Sequence, residues 1–123
     1  MNYKAKSIRT FIGSKDFSLS QRFYKTLGFQ EFPIDDKMSY FKVDENMGFY
    51  LQAYYKKEWV NNTMIFLEVD DLDQCEERLL QLDLVNKFKI KQTNIKNFDW
   101  GRELFMHDPA GNLWHFGEFK GLS

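Results

Sequence analysis

The stretch from Trp100 to Phe116 gathers Arg102, Glu103, His107, Asp108 and His115 among aromatic residues. Guanidinium, carboxylate and imidazole groups beside rings can hold a small molecule by stacking and a few placed hydrogen bonds. A histidine in such a setting is in the first instance a hydrogen-bonded structural group rather than a catalyst. The segment reads as strand, turn, strand. Leu104 and Met106 alternate with Phe105 and His107, the two-residue period of a half-buried strand. Asp108-Pro109-Ala110-Gly111 supplies the turn, because proline presets its backbone angle and glycine takes a conformation that a β-carbon opposes. Leu113 to Phe116 resumes the strand. Alternation puts Leu113 and His115 on the open face and Trp114 and Phe116 behind it.

These groups must be carried by one small domain, residues 1–123, which is long enough for a single packed core. With 13 Phe, 6 Tyr and 3 Trp, the chain has more rings than such a core uses, which leaves some to line a pocket or a subunit contact. A net charge of −1 gives no basic face for nucleic acid. No run of residues approaches transmembrane length, and Met1 to Lys6 lacks the apolar stretch of a signal peptide. Cys75 stands alone, so no internal disulfide is available, and a reduced thiol in a cytoplasmic protein is expected.

A weak internal repeat organises the chain. Placing Asp16 on Asp71 brings Ile12 onto Leu67, Phe17 onto Leu72, Leu27 onto Leu82 and Phe29 onto Leu84. Each copy reads as a strand, an aspartate cap and an amphipathic helix. Leu19, Phe23 and Leu27 recur at helical spacing in the first, which Gly28 ends, and Leu72, Cys75, Leu79 and Leu82 in the second. Three strands follow each helix. The first half offers Phe29–Ile34, Met38–Val43 and Phe49–Tyr54, and the second offers Phe88–Thr93, Arg102–His107 and Leu113–Phe119. Lysines 87, 89 and 91 mark the Phe88 run as an edge strand, and Asn94–Asp99 as a loop able to rim a pocket. The expected fold is α+β, with tandem βαβββ modules at about 1–56 and 63–123 forming a curved, mixed-sheet groove with helices outside. The polar stretch Lys56–Asn62, with Trp59 in its middle, joins the halves.

A repeated βαβββ module whose first helix ends Phe23-Tyr24-Lys25-Thr26-Leu27-Gly28-Phe29 resembles the vicinal-oxygen-chelate superfamily, which includes glyoxalases, extradiol dioxygenases and bleomycin-resistance proteins. Trp100-Gly101-Arg102-Glu103, Asp108-Pro109-Ala110-Gly111-Asn112 and His115-Phe116 are most similar to the bleomycin-resistance proteins. The resemblance implies four inward positions that hold a metal in the enzymes of the superfamily. Counted from the helix caps and from the glycines, they fall here on Arg9, Gln52, Met64 and His115. A hard divalent ion needs oxygen or imidazole ligands and some negative charge. A cation and a thioether among the four argue against a metal, so no cofactor is expected.

The groove then reads as a binding site. Strand alternation sets Tyr50, Gln52 and Tyr54 on the face that carries Arg9, and Phe66 and Glu68 with Met64. Trp59 and Trp100, placed in loops, could clamp a flat ligand, and Arg102 and His115 complete the ligand-binding set. Arg9 could pair with Glu68 or Glu103, and Arg102 with Glu103. The leading expectation is a bleomycin-resistance-like homodimer that sequesters a small molecule in paired grooves. Known bleomycin binders of this kind are acidic, whereas this chain is nearly neutral and carries Arg9, which turns the expectation toward another aromatic or anionic compound. The alternatives are a metal-dependent glyoxalase or dioxygenase using His115 and Gln52, and a structural dimer without a ligand.

Overall fold

Asp16 accepts the backbone N–H of Leu19 at 3.1 Å, and Asp71 accepts that of Gln74 at 3.0 Å. Each repeated segment therefore opens its helix on an aspartate cap, which satisfies one of the donors that a helix start leaves free. The computed structural model describes residues 2–121. Along the chain come β1 (Thr10–Gly13), α1 (Phe17–Thr26), β2 (Gln30–Asp35), β3 (Met38–Asp44), β4 (Met47–Gln52) and α2 (Lys57–Asn61). The second half follows with β5 (Met64–Glu68), α3 (Leu72–Leu82), α4 (Leu84–Phe88), β6 (Lys96–Phe98), β7 (Gly101–His107) and β8 (Leu113–Phe119).

The strands form two mixed four-stranded sheets, ordered β1-β4-β3-β2 and β5-β8-β7-β6. In each, the strand before the capped helix runs parallel to the last strand of its module, and the remaining pairs are antiparallel. The α+β class and the tandem βαβββ order expected from the repeat are both present. Residues of both halves build one core, in which Phe23, Tyr24, Phe41 and Leu51 meet Leu72, Leu104, Met106 and Trp114. No helix among the described residues is long and apolar enough to cross a membrane.

Two local expectations need correction. Phe88–Thr93 is not a strand, because Leu84 and Phe88 lie one helical turn apart and both face the core. Leu84 is fully buried, and the Phe88 ring meets Phe23 edge-on with centroids 5.3 Å apart. Asp83, at φ 55°, redirects the chain out of α3 and its carbonyl accepts the N–H of Lys87. Burial of that apolar pair outweighs the strand-like look of alternating lysines. Beyond it, Gln92 forms only an isolated bridge to Met106, and the edge strand is β6, inside the stretch expected to be a loop. The joint between the halves also carries a helix, α2, anchored by buried Val60, so Trp59 sits on a helix and not in a loop.

Candidate functional site

Cross-strand register lines up one aromatic row in the first sheet. Phe11 on β1 pairs with Tyr50 on β4, Tyr50 with Tyr40 on β3, and Tyr40 with Phe32 on β2. Their ring centroids are 4.7, 5.3 and 6.2 Å apart in that order. Arg9 lies over this row. Its guanidinium carbon is 4.2 Å from the centre of the Tyr40 ring, and Nη1 donates to the Tyr50 hydroxyl at 2.9 Å. Arg9 thus pairs with tyrosines and not with Glu68 or Glu103.

The second sheet repeats the row with different chemistry. Phe66 on β5 pairs with His115 on β8, and His115 pairs with Phe105 on β7. Phe66 stacks near the imidazole at 6.2 Å and Phe105 meets it edge-on at 5.0 Å. The position of Tyr50 in the first half is therefore held by His115 in the second. Its Nδ1 is hydrogen-bonded to Glu103 Oε1, and the Glu103 side chain is buried at 8% exposure. An aromatic cluster continues the row, with Trp100 stacked on Phe98 at 5.6 Å and lying within 6.0 Å of Phe66 and 5.4 Å of Phe119. Gly117 has no side chain where the Phe66 ring crosses β8.

The reverse sides of the two sheets meet each other. Trp114, behind His115, lies 5.4 Å from Phe49, which is behind Tyr50, and 5.8 Å from Tyr24. The two aromatic faces consequently look away from one another, and a single chain does not close them into one groove. The expected site residues divide accordingly. Arg9 and Tyr50 sit together on the first face, with Gln52 two residues along β4, beside Gly13 and Met38. Tyr54 and Trp59 pair with each other at 5.6 Å at the joint, both exposed. Phe66, Trp100 and His115 gather on the second face, flanked along β5 by exposed Met64 and Glu68.

Arg102 is not on that face. It shares a side of β7 with Leu104 and Met106, and its guanidinium is held by Asp73 of α3 at 3.1 Å and Glu118 of β8 at 2.7 Å. The expected Arg102–Glu103 pair fails because consecutive strand residues point to opposite faces. Sequence reasoning missed Phe11, Phe32, Tyr40, Phe98, Phe105 and Phe119 as face residues, and Glu103 as the partner of His115. Strand phase carried the signal for Phe105 and Glu103, since Leu104 and Met106 already mark the other face. A recess of about 480 Å³ between the halves, lined by Leu27, Phe29, Leu67, Leu82 and Phe116, includes Glu68 but none of the other candidate residues.

No protein-family model matches the chain, and a search of curated proteins gave no match. Solved structures do match. A bleomycin-binding protein from bleomycin-producing Streptomyces verticillus, complexed with copper(II)-bleomycin, is 22% identical over 93% of this chain and 96% of its own, with a TM-score of 0.76. An antibiotic-binding protein from Streptomyces sp. CB03234 covers 98% of this chain and 100% of its own at 17% identity and a TM-score of 0.75. Lactoylglutathione lyase from Agrobacterium tumefaciens covers 90% and 91% at 16% identity, with a TM-score of 0.66. The chain shares the fold of these proteins. The resemblance drawn from the sequence implies metal donors on the first and last strand of each half. Register here sets Phe11 beside Tyr50 and Phe66 beside His115, so the rows offer one imidazole, already bonded to Glu103. The alternative set of Arg9, Gln52, Met64 and His115 is divided between faces that look apart. Among the described residues no group of three or more His, Cys, Asp or Glu side chains could hold a metal ion. The donor set does not fit a divalent ion.

Proposed function

We propose that the chain is a small-molecule binding protein of the bleomycin-resistance kind, which sequesters a flat aromatic ligand without a catalytic metal. The observation that carries this reading is the pair of outward aromatic rows, Phe11–Tyr50–Tyr40–Phe32 and Phe66–His115–Phe105, each with a single placed polar group beside it. Exposed rings gathered on one face are costly in water and mark a surface to be covered. Because the two rows of one chain look apart, a second copy is the partner that would set one row against the other. A homodimer with two equivalent grooves is the assembly proposed, with the cytoplasm as its compartment. Similarity in fold to bleomycin-binding and antibiotic-binding proteins supports the ligand class but does not name the compound.

Trapping is the proposed mechanism. Ring stacking supplies most of the affinity, Arg9, Tyr50 and His115 orient the ligand, and bound compound is withheld from its target. Thermal shift against bleomycin, copper(II)-bleomycin and a panel of planar aromatics tests it, since a ligand of the native state raises the melting temperature as its concentration rises. Light scattering with the same samples reports the dimer. Binding that quenches tryptophan and is weakened by Trp100→Ala supports the reading. A panel without a single shift sinks it, and so does near-stoichiometric zinc, nickel, manganese or iron that disappears in His115→Ala.

A further inference from the structure

We infer that Glu103 and His115 act as one unit that selects aromatic ligands bearing a hydrogen-bond donor, the chemistry of a phenol. The inference rests on the reading that the face of β7 and β8 binds a small molecule. It begins with a carboxylate in an unusual place. Glu103 lies on the aromatic side of the sheet with its side chain only 8% exposed, and its hydrogen-bond partner is the neighbouring imidazole instead of a lysine or arginine. A buried carboxylate is costly unless it accepts a hydrogen bond. A carboxylate can only accept, so the proton between the two groups sits on His115 Nδ1.

A neutral imidazole carries a single N–H, so that placement assigns the other nitrogen. With Nδ1–H donating to Glu103, neutral His115 presents a lone pair at Nε2, which accepts and does not donate. Nε2 has no hydrogen bond to any described residue, and the side chain keeps 20% of its surface open. The ring cannot turn freely to offer Nδ1 instead. Phe66 stacks beside it, Phe105 abuts it at 79°, and Glu103 holds the proximal nitrogen. A flat ligand laid along this row would meet an acceptor fixed in direction, between hydrophobic walls where an unanswered donor or acceptor is strongly disfavoured. A phenolic O–H answers it, and an ether in the same position does not.

The test uses full-length protein with two probes of nearly equal shape, 2-naphthol and 2-methoxynaphthalene, followed by tryptophan fluorescence and calorimetry. The expected result is a preference of about tenfold for 2-naphthol, the worth of one buried hydrogen bond. His115→Phe keeps the aromatic wall and brings the two affinities within about twofold. Glu103→Gln is the positioning test, because its amide N–H can donate to Nδ1 and move the imidazole proton to Nε2. It too should erase the preference, by strengthening 2-methoxynaphthalene, because the oxygen of either probe accepts from Nε2–H. Equal binding of the two probes by the unaltered protein overturns the inference and leaves the aromatic site standing. A preference that survives in both variants also overturns it. If neither naphthalene binds, the reading of this face as a ligand site falls, and the inference falls with it.

Discussion

The hydroxyl of Tyr24 on α1 donates to Asp108 Oδ2 at 2.5 Å in the turn of the last hairpin, 84 residues away along the chain. The same hydroxyl accepts the indole N–H of Trp114 at 2.9 Å. Asn112 donates to Asp108 at 2.8 Å and to the carbonyl of Gly13 at 2.9 Å. Meanwhile Asp108 Oδ1 receives the backbone N–H groups of Ala110, Gly111 and Asn112. This buried network ties the first half to the hairpin that carries His115. Burial, reinforced by the charge of Asp108, pushes the Tyr24 hydroxyl well above the ordinary tyrosine range, so it stays a donor.

Removing that hydroxyl should therefore cost far more than one surface hydrogen bond. Tyr24→Phe keeps the ring in the core but strands the Trp114 N–H and takes a donor from Asp108. Stability should fall by about 3 kcal/mol, the range for buried groups left unpaired. Urea denaturation measures it, and a loss under about 0.5 kcal/mol would show that the network is not a link between the halves.

Arg102 illustrates a residue whose type suggested ligand binding and whose strand phase places it elsewhere. Its hydrogen bonds hold the carboxyls of Asp73 and Glu118 below the usual carboxylate range. A depressed folded value means a contribution to stability that is present above the unfolded pKa and lost as pH falls through the folded one. In Arg102→Met, carboxylate NMR titrations of both residues should move up toward ordinary values, and the acid-side fall in stability should flatten. Ligand affinity should stay within about twofold, since the guanidinium is on the helix side. A tenfold loss of affinity in a folded variant would return Arg102 to the binding face.

The two aspartate caps offer a symmetric check on the repeat. Asp16→Ala and Asp71→Ala each remove one cap bond of about 3 Å from a helix start. Each should lower stability by about 1 kcal/mol, and because the two caps share no hydrogen-bond partner the double variant should lose about the sum. A denaturation series that shows one cap to be inert would break the equivalence of the modules.

Much of this architecture is legible in the sequence because it depends on local periodicity. The caps Asp16 and Asp71, the alternation of Phe49, Tyr50 and Leu51, and the Asp108–Gly111 turn all state their roles within a few residues. What is not legible depends on partners distant in the chain. Counting from the Asp16 cap and from Gly48 placed Arg9 with Gln52, whereas strand register sets Phe11 beside Tyr50. Gly48 lies inside a paired strand and Gly111 in a turn, so the two are not equivalent markers. Lys87 to Lys91 looked like an edge strand because no local rule announces that Phe88 will find Phe23. The outward direction of the two faces follows from Trp114 meeting Phe49, a contact that only the folded chain displays.

Gly117 provides the sharpest test of the second face. It lies mid-strand on β8, where alanine could adopt the extended backbone and glycine is by itself a weakening choice. Substitution should then stabilise, unless the space is needed. It is needed, because a β-carbon at Gly117 would overlap the Phe66 ring. Gly117→Ala should displace Phe66 from its stack with His115 and Phe119, at a cost of about 1–3 kcal/mol for overpacking. Affinity for aromatic probes should drop at the same time. Adding Phe66→Leu should recover much of the lost stability but not the affinity, because leucine clears the space without restoring the ring. A double-mutant cycle measures the coupling directly. If Gly117→Ala is neutral in stability and the cycle gives no coupling, Phe66 does not depend on that gap, and the aromatic row is not the ordered surface that ligand binding requires.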